Sequence, residues 1–441
     1  MRRARKLTAL TVLTAALAAW VSAASAEDAP PPPPGPPLER LFAPVREELK
    51  NQKLNPFFAD MDLRAHFRTY YFNRTKPDES INESLATGGW LTLQSGWLLD
   101  TFAVGATFYG SGRLYGPEDR DGALLLKPSQ ESYYVPGEAW GAFRFEDLIL
   151  AKVYRQQVDQ GYINPQDNRM TPNTFEAVTV GGKIGWLEYF GGYLWNIKRR
   201  NEDEFVAMNV AAGAKGGHEG VITGGVRLTP LKGLRIDVND QWGENMFNTL
   251  YAEADYLRQL DDDWKIRLSA QFTDQRAVGD ARVASTAEDF WQTHVGGARL
   301  SVIFRELTLT TAFSITGKGN NIQSPWGSYP GYLSMIDQDF NRAGEQALLI
   351  GAAYDFARIA SGLSAYFNLV WGVNAINPTT KKHVADQREY DFTVDYRPPF
   401  KVPSFLQGMW FRARAAVLDQ EDAKTTGYQF RLIINWERNL I

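Results

Sequence analysis

The chain has 441 residues, 13% of them aromatic, with 47 Lys and Arg against 51 Asp and Glu and no cysteine. The lack of a basic excess argues against general nucleic-acid binding, and the lack of cysteine excludes disulfides and zinc–thiolate sites. After the first 26 residues no apolar run reaches the roughly 18 residues that a spanning helix needs.

The chain starts with Arg2, Arg3, Arg5 and Lys6, an apolar run from Leu7 to Val21, and then Ser22-Ala23-Ala24-Ser25-Ala26. This is the order of a secretory signal, with cleavage expected after Ala26, and the run is short for a membrane anchor. Its removal leaves 43 basic against 51 acidic residues, a net of −8. Ala29 to Pro37 is nearly all proline, which cannot bury a core and favours an extended spacer. Residues 27–60 therefore read as a periplasmic leader, with one or two helical turns expected within Val45 to Lys53, and 61–441 as the folded domain.

From Asp62 onward the dominant period is two, the signature of strands with unlike faces. Ile266-Arg267-Leu268-Ser269-Ala270-Gln271-Phe272 alternates strictly, and Leu307 to Ile315, Leu234 to Asn239 and Tyr428 to Trp436 repeat the theme. Roughly 18 segments of membrane-crossing strand length follow, beginning near 63, 85, 102, 137, 148, 174, 186, 217, 234, 248, 264, 290, 307, 344, 363, 388, 408 and 427. Their connections alternate between tight turns, such as 229–233, 261–263 and 304–306, and long loops, such as 112–136, 157–173, 199–216, 276–289 and 317–343. Segregation of turns and loops by parity is expected of an all-β transmembrane antiparallel barrel, which closes on itself and leaves no strand edge. Charged residues share the non-apolar parity, Arg155 excepted, and it falls near a strand end. Trp97, Trp140, Trp242, Trp371, Trp410 and Trp436 sit near segment ends, as girdles at the membrane interfaces would.

Four stretches carry a family likeness. They are Leu63 to Arg74, with its Arg-Thr-Tyr-Tyr-Phe-Asn-Arg string, Asp167 to Val178, Asp262-Asp263-Trp264, and Asp337 to Glu345. In their order and spacing the chain resembles the OprD family of outer-membrane porins from about Phe57 to its end. The resemblance implies an integral outer-membrane barrel of 18 strands with short periplasmic turns and long extracellular loops. It also implies a third extracellular loop folded into the lumen, and uptake of small, often carboxylate-bearing solutes. The proline-rich leader departs from the family pattern, as does the ending Asn439-Leu440-Ile441, where such barrels commonly carry Phe.

Placing the polar parity inside gives inward Arg64, Arg68, Lys152, Lys198, Arg227, Arg235, Lys265, Arg267, Arg299, Arg412, Arg414 and Arg431. Closure makes the first and last strands neighbours, so Arg64, Arg68, Arg412, Arg414 and Arg431, with His66, form a basic stripe. A narrow lumen focuses such a field on anions, and guanidinium groups match carboxylates. Glu389, Asp391 and Asp395 share the inward parity and could neutralise Arg412 and Arg414, whereas Arg64, Arg68 and Arg431 have fewer acids beside them. The constriction is expected in 157–174, with Asp159, Asp167, Asn168, Arg169 and Met170 between Pro165 and Pro172; Tyr329, Tyr332 and Asp337 would form a second wall.

Two other functions compete with the porin. A barrel esterase or phospholipase would need a Ser–His pairing, but His66, His218, His294 and His383 have no serine at suitable spacing. A polysaccharide channel or exporter of similar size would need a more continuously charged lumen. No catalytic, cofactor or metal site is read, and Asp261-Asp262-Asp263 looks like turn chemistry. The expected partners are outer-membrane lipid, small anionic or zwitterionic solutes, the barrel-assembly machinery, and, if trimeric instead of monomeric, further copies of the chain.

Overall fold

The computed structural model describes residues 55–283, 291–399, 403 and 406–441. The expected signal, leader and Val45–Lys53 turns lie outside them. A helical turn, Pro56–Ala59, opens the described chain, with the Asn55 side chain accepting the Phe57 N–H as its cap. The strands follow as β1 Asp62–Thr75, β2 Ile81–Gln94, β3 Phe102–Tyr115, β4 Tyr133–Phe145, β5 Ile149–Gln156, β6 Thr174–Ile184 and β7 Leu187–Lys198. Next come β8 Phe205–Ala207, β9 Val221–Leu231, β10 Leu234–Gly243, β11 Phe247–Gln259, β12 Trp264–Ala277 and β13 Gln292–Phe304. The last are β14 Leu307–Thr316, β15 Gln346–Asp355, β16 Leu363–Val373, β17 Gln387–Tyr396, β18 Met409–Gln420 and β19 Gly427–Asn439.

Every neighbouring pair is antiparallel, β7 bonds directly to β9, and β1 bonds both to β2 and to β19. The result is a closed barrel of 18 strands, with the three-residue β8 appended to the upper end of β7. All 18 expected segments are strands of the barrel. β8 escaped the sequence reading because three residues carry no usable alternation. Closure is the physical reason that such a sheet tolerates a membrane, since an open edge there would leave unpaired amide groups without water.

Side chains alternate as the period of two requires. Phe67, Phe108, Leu268, Phe272, Phe313, Ile350 and Phe430 are exposed on the outer face, while their sequence neighbours Arg68, Thr107, Ser269, Gln271, Ala312, Leu349 and Arg431 are buried inside. The energetic cost of reversing this is large. Leu268→Lys, an outward change near mid-strand, should lower the stability of the refolded barrel by about 2–4 kcal/mol. Arg267→Lys, inward and adjacent in sequence, should cost much less, because the lysine keeps the charge facing Asp255; equal losses in urea-dependent refolding into lipid vesicles would contradict the face assignment.

Connections at one rim are short and at the other mostly long. On the short rim, the two-residue turn 232–233 depends on Gly233, at φ +86°, because a Cβ there would meet the Leu257 carbonyl oxygen at 2.2 Å. The exceptions to parity are the brief 76–80, 244–246 and 421–426 on the long-loop rim and the longer 397–408 on the turn rim. The tryptophan girdle needs correction. Trp242, Trp371 and Trp436 share register with outward neighbours, and Trp186 and Trp264 at the turn rim are exposed. Trp140 and Trp410 instead point inward. The Trp140 ring packs over the position of Gly105 and under the Lys152 ammonium at 4.0 Å, and the Trp410 indole N–H donates to Asp395 at 3.2 Å. Trp97 lies in a turn beneath the Arg144 guanidinium. Arg155 is next to last in β5 and bonds Glu176 at 3.0 Å, so its charge is compensated.

Candidate functional site

The loop 157–173 crosses the lumen. At one side Gln241 of β10 donates to the Gln160 carbonyl at 2.7 Å and the Tyr162 hydroxyl donates to Thr273 of β12 at 2.9 Å. At the other side Arg68 of β1 holds Asp167 through both terminal nitrogens, at 2.6 and 3.2 Å, and also donates to the Arg169 carbonyl. Because β1 and β10–β12 stand on opposite walls, eight residues bridge the barrel. Between these anchors Asn164 clasps the loop to the long loop 317–345. Its amide donates to the carbonyls of Gly161 (2.9 Å) and Ser328 (2.8 Å), and its oxygen accepts the N–H groups of Ser328 (2.8 Å) and Gln166 (3.2 Å). Trp326 fixes the partner loop by stacking on Phe247 and donating to the Met208 carbonyl at 2.9 Å.

The long loop is fastened to a third wall. Glu389 of β17 accepts the successive N–H groups of Asp337 and Gln338 at 2.7 and 2.8 Å, and Asp391 accepts that of Ile336 at 2.8 Å. Arg431 of β19 donates to the Ile336 carbonyl at 2.8 Å, and Asp337 pairs with Arg74 of β1 at 2.7 Å. Tyr332 donates to Glu253 at 3.0 Å beneath the Arg299 guanidinium. Tyr329 is buried against Tyr162, so it supports the wall and does not face the opening.

The basic side chains divide into compensated and uncompensated sets. On β9–β13, Arg227 and Arg235 share Asp237 at 2.6 and 2.8 Å, and Arg235 also reaches Glu253 at 3.4 Å. Arg267 and Arg299 share Asp255 at 2.7 and 3.5 Å. Arg412 is bound by both oxygens of Asp395, at 2.6 and 2.8 Å. Arg64 and Arg68, expected to stand clear of acids, pair with Asp62 and Asp167. Lys198 is buried under the crossing loop, donating to Thr171 and the Arg199 carbonyl, and lines nothing. Lys152 is inward beside Trp140, and Lys265 holds an inward register position near the turn rim.

The uncompensated set is small and gathered in one place. Arg414 lies opposite Arg431 in the β18–β19 register and donates to Thr393 at 3.2 Å. Arg169 and Arg431 are 7% and 3% exposed, both against the Phe72 ring. Arg169 donates to the carbonyls of Ala123 and Asn168, and Arg200 donates to the Asn168 side chain. None of Arg169, Arg200, Arg414 and Arg431 forms an ion pair among the described residues. Burial, with Arg431 and Arg200 close by, pushes the Arg169 guanidinium well below its usual range, and burial pulls Arg200 down to about 10. Guanidinium stays protonated in proteins, so both are cations crowded by like charge. Met170, expected to line the constriction, is buried in an apolar cluster with Tyr70, Phe72 and Leu125 and pins the loop instead. Asp159 is exposed at the start of the loop.

A family model for the outer membrane porin, OprD family, matches residues 55–440. The chain belongs to the OprD family of outer-membrane porins. No curated protein matches the sequence at a significant level. Among solved structures, the porin is similar to Pseudomonas aeruginosa OccK9 (OpdG), with a TM-score of 0.77 at 19% identity over 87% of this chain and 100% of that one. It is likewise similar to Acinetobacter baumannii OccAB1, at 0.78 and 17% over 89% and 100%. Pseudomonas aeruginosa OpdK, solved with vanillate, gives 0.75 and 18% over 86% and 99%. The family and the fold are those of channels integral to the outer membrane.

Three residues that hold the porin's constriction were not singled out in the sequence. Asn164 sits in an unpatterned loop, and Arg74 and Arg200 find their partners in loops that fold into the lumen. Glu389 and Asp391 were visible as inward acids, but they accept loop N–H groups instead of pairing with Arg412 and Arg414.

Proposed function

We propose that this porin admits small solutes bearing a carboxylate, drawn past the constriction along the wall formed by β1, β18 and β19. The carrying observation is the group of four arginines, Arg169, Arg200, Arg414 and Arg431, with no carboxylate in ion-pair reach among the described residues. An anion entering this narrow, weakly screened space meets a focused positive field from all four, and the forked donors of the half-buried Arg200 and Arg414 fit a carboxylate. The arginines of the opposite wall share three acids and contribute less. The vanillate bound in OpdK, itself an aromatic carboxylate, is in keeping with this chemistry. In the same reading the chain is exported with loss of residues 1–26, inserted by the barrel-assembly machinery and surrounded by lipid, as a monomer or homotrimer.

Liposome swelling tests the proposal. Proteoliposomes should swell several-fold faster in potassium benzoate than in benzylamine hydrochloride of equal osmolarity, because the two permeants differ mainly in charge. Equal rates, or a faster cation, would overturn it.

A further inference from the structure

We propose that the outer face of β11–β14 seats one phospholipid of the periplasmic leaflet, its acyl chain in an apolar trough and its phosphate on Arg258. The trough has a volume of about 500 Å³ and is lined on the lipid side by Ala254, Ala270, Ala298, Tyr256, Leu300 and Phe313. Its floor follows from register: Ala254 stands opposite Ala270, and Ala270 opposite Ala298, so three methyl groups lie side by side across three strands. Tall side chains bound the floor on both sides. Tyr256 and Leu300 rise toward the turn rim, and Phe272 toward the loop rim. Gly296 extends the low ground, since a Cβ there would meet nothing within 4 Å. A barrel face is convex, so an open concavity of this volume on it is a shape to which an acyl chain can conform.

Charge selects the occupant. Arg258 lies two residues beyond Tyr256 on the same outward face, near the end of β11 at the turn rim. It is exposed and forms no hydrogen bond or ion pair with any described residue. Ala254 is about 13 Å away along the strand, within the span from a lipid's phosphate to the upper part of its chain. The rim of an outer-membrane barrel at its turn side meets phospholipid headgroups, where a guanidinium can bind phosphate with parallel hydrogen bonds.

The test is native mass spectrometry of the delipidated porin in detergent, titrated with dioleoyl phosphatidylglycerol or dioleoyl phosphatidylcholine. The unaltered protein should retain one phosphatidylglycerol under activation that strips all others. Ala270→Leu with Ala298→Leu, which fills the floor, should reduce that retention about fivefold for both lipids. Arg258→Gln should remove the preference for phosphatidylglycerol over phosphatidylcholine without altering the fold. Ala352→Leu, outward on β15 opposite Phe367, should change nothing. Equal retention by all variants would overturn the proposal. So would a drop in subunit number caused by the filled floor, which would make a second copy the occupant.

Discussion

With Glu389 and Asp391 both replaced by alanine, single-channel conductance should rise and the preference for anions should strengthen. The two carboxylates accept three main-chain N–H groups of residues 336–338, all at 2.7–2.8 Å. Hydrogen bonds to charged acceptors are worth about 1.5–3 kcal/mol each, so their loss removes on the order of 5 kcal/mol from the attachment of the long loop. Residues 336–338 then keep only the bonds of Arg431 and Gln429 to the Ile336 carbonyl and of Arg74 to Asp337, so this stretch should lift from the wall while Leu333 and Phe340 hold the loop on either side. The same change removes the acidic pair on the strand next to Arg414, which raises the local potential. Glu389→Gln with Asp391→Asn tells the two effects apart by degree. It removes the charge but loses only one of the three acceptors, because glutamine offers one oxygen where Glu389 uses two, so selectivity should shift fully while conductance rises less than in the alanine pair. An unchanged conductance in the alanine pair would mean that the long loop is not fastened there.

Asn164→Ala should turn a quiet channel into a noisy one, with brief excursions to higher current. The side chain makes four hydrogen bonds, two of them a reciprocal pair with the main chain of Ser328. At about 1 kcal/mol each, and with the Ser328 groups left unsatisfied, the crossing loop loses on the order of 3 kcal/mol, which raises its open population about 100-fold. The anchors at Arg68–Asp167 and Tyr162–Thr273 stay, so the loop should detach transiently without leaving the lumen. Current recordings as quiet as those of the unaltered protein would place the restraint elsewhere.

Much of the barrel was legible because its physics is local. A strand between lipid and water alternates, and stretches such as Ile266 to Phe272 show this without reference to the rest of the chain. Trp140 and Trp410 were misassigned because indole suits both an interface and a polar wall, and position near a strand end does not tell the two apart. The constriction was legible only as a loop of the right length. What holds it depends on partners up to 263 residues away, as for Arg74 and Asp337, and no period in the sequence encodes such a pairing. The basic wall was half legible. Parity placed Arg68, Arg414 and Arg431 inside, but which arginines keep a free charge depended on where the acids went. Asp167 came from the crossing loop to Arg68, and Glu389 and Asp391 turned to loop amides. Arg169 and Arg200, which complete the uncompensated group, lie in loops where parity has no meaning.

If the uncompensated arginines beside the crossing loop make this porin a path for small anions, the zero-current potential of a single channel across a tenfold KCl gradient should take the sign set by chloride. In the variant carrying Arg200→Gln, Arg414→Gln and Arg431→Gln it should shift toward the potassium side. A potential of the sign set by potassium, with no shift in that variant, would contradict the anion path.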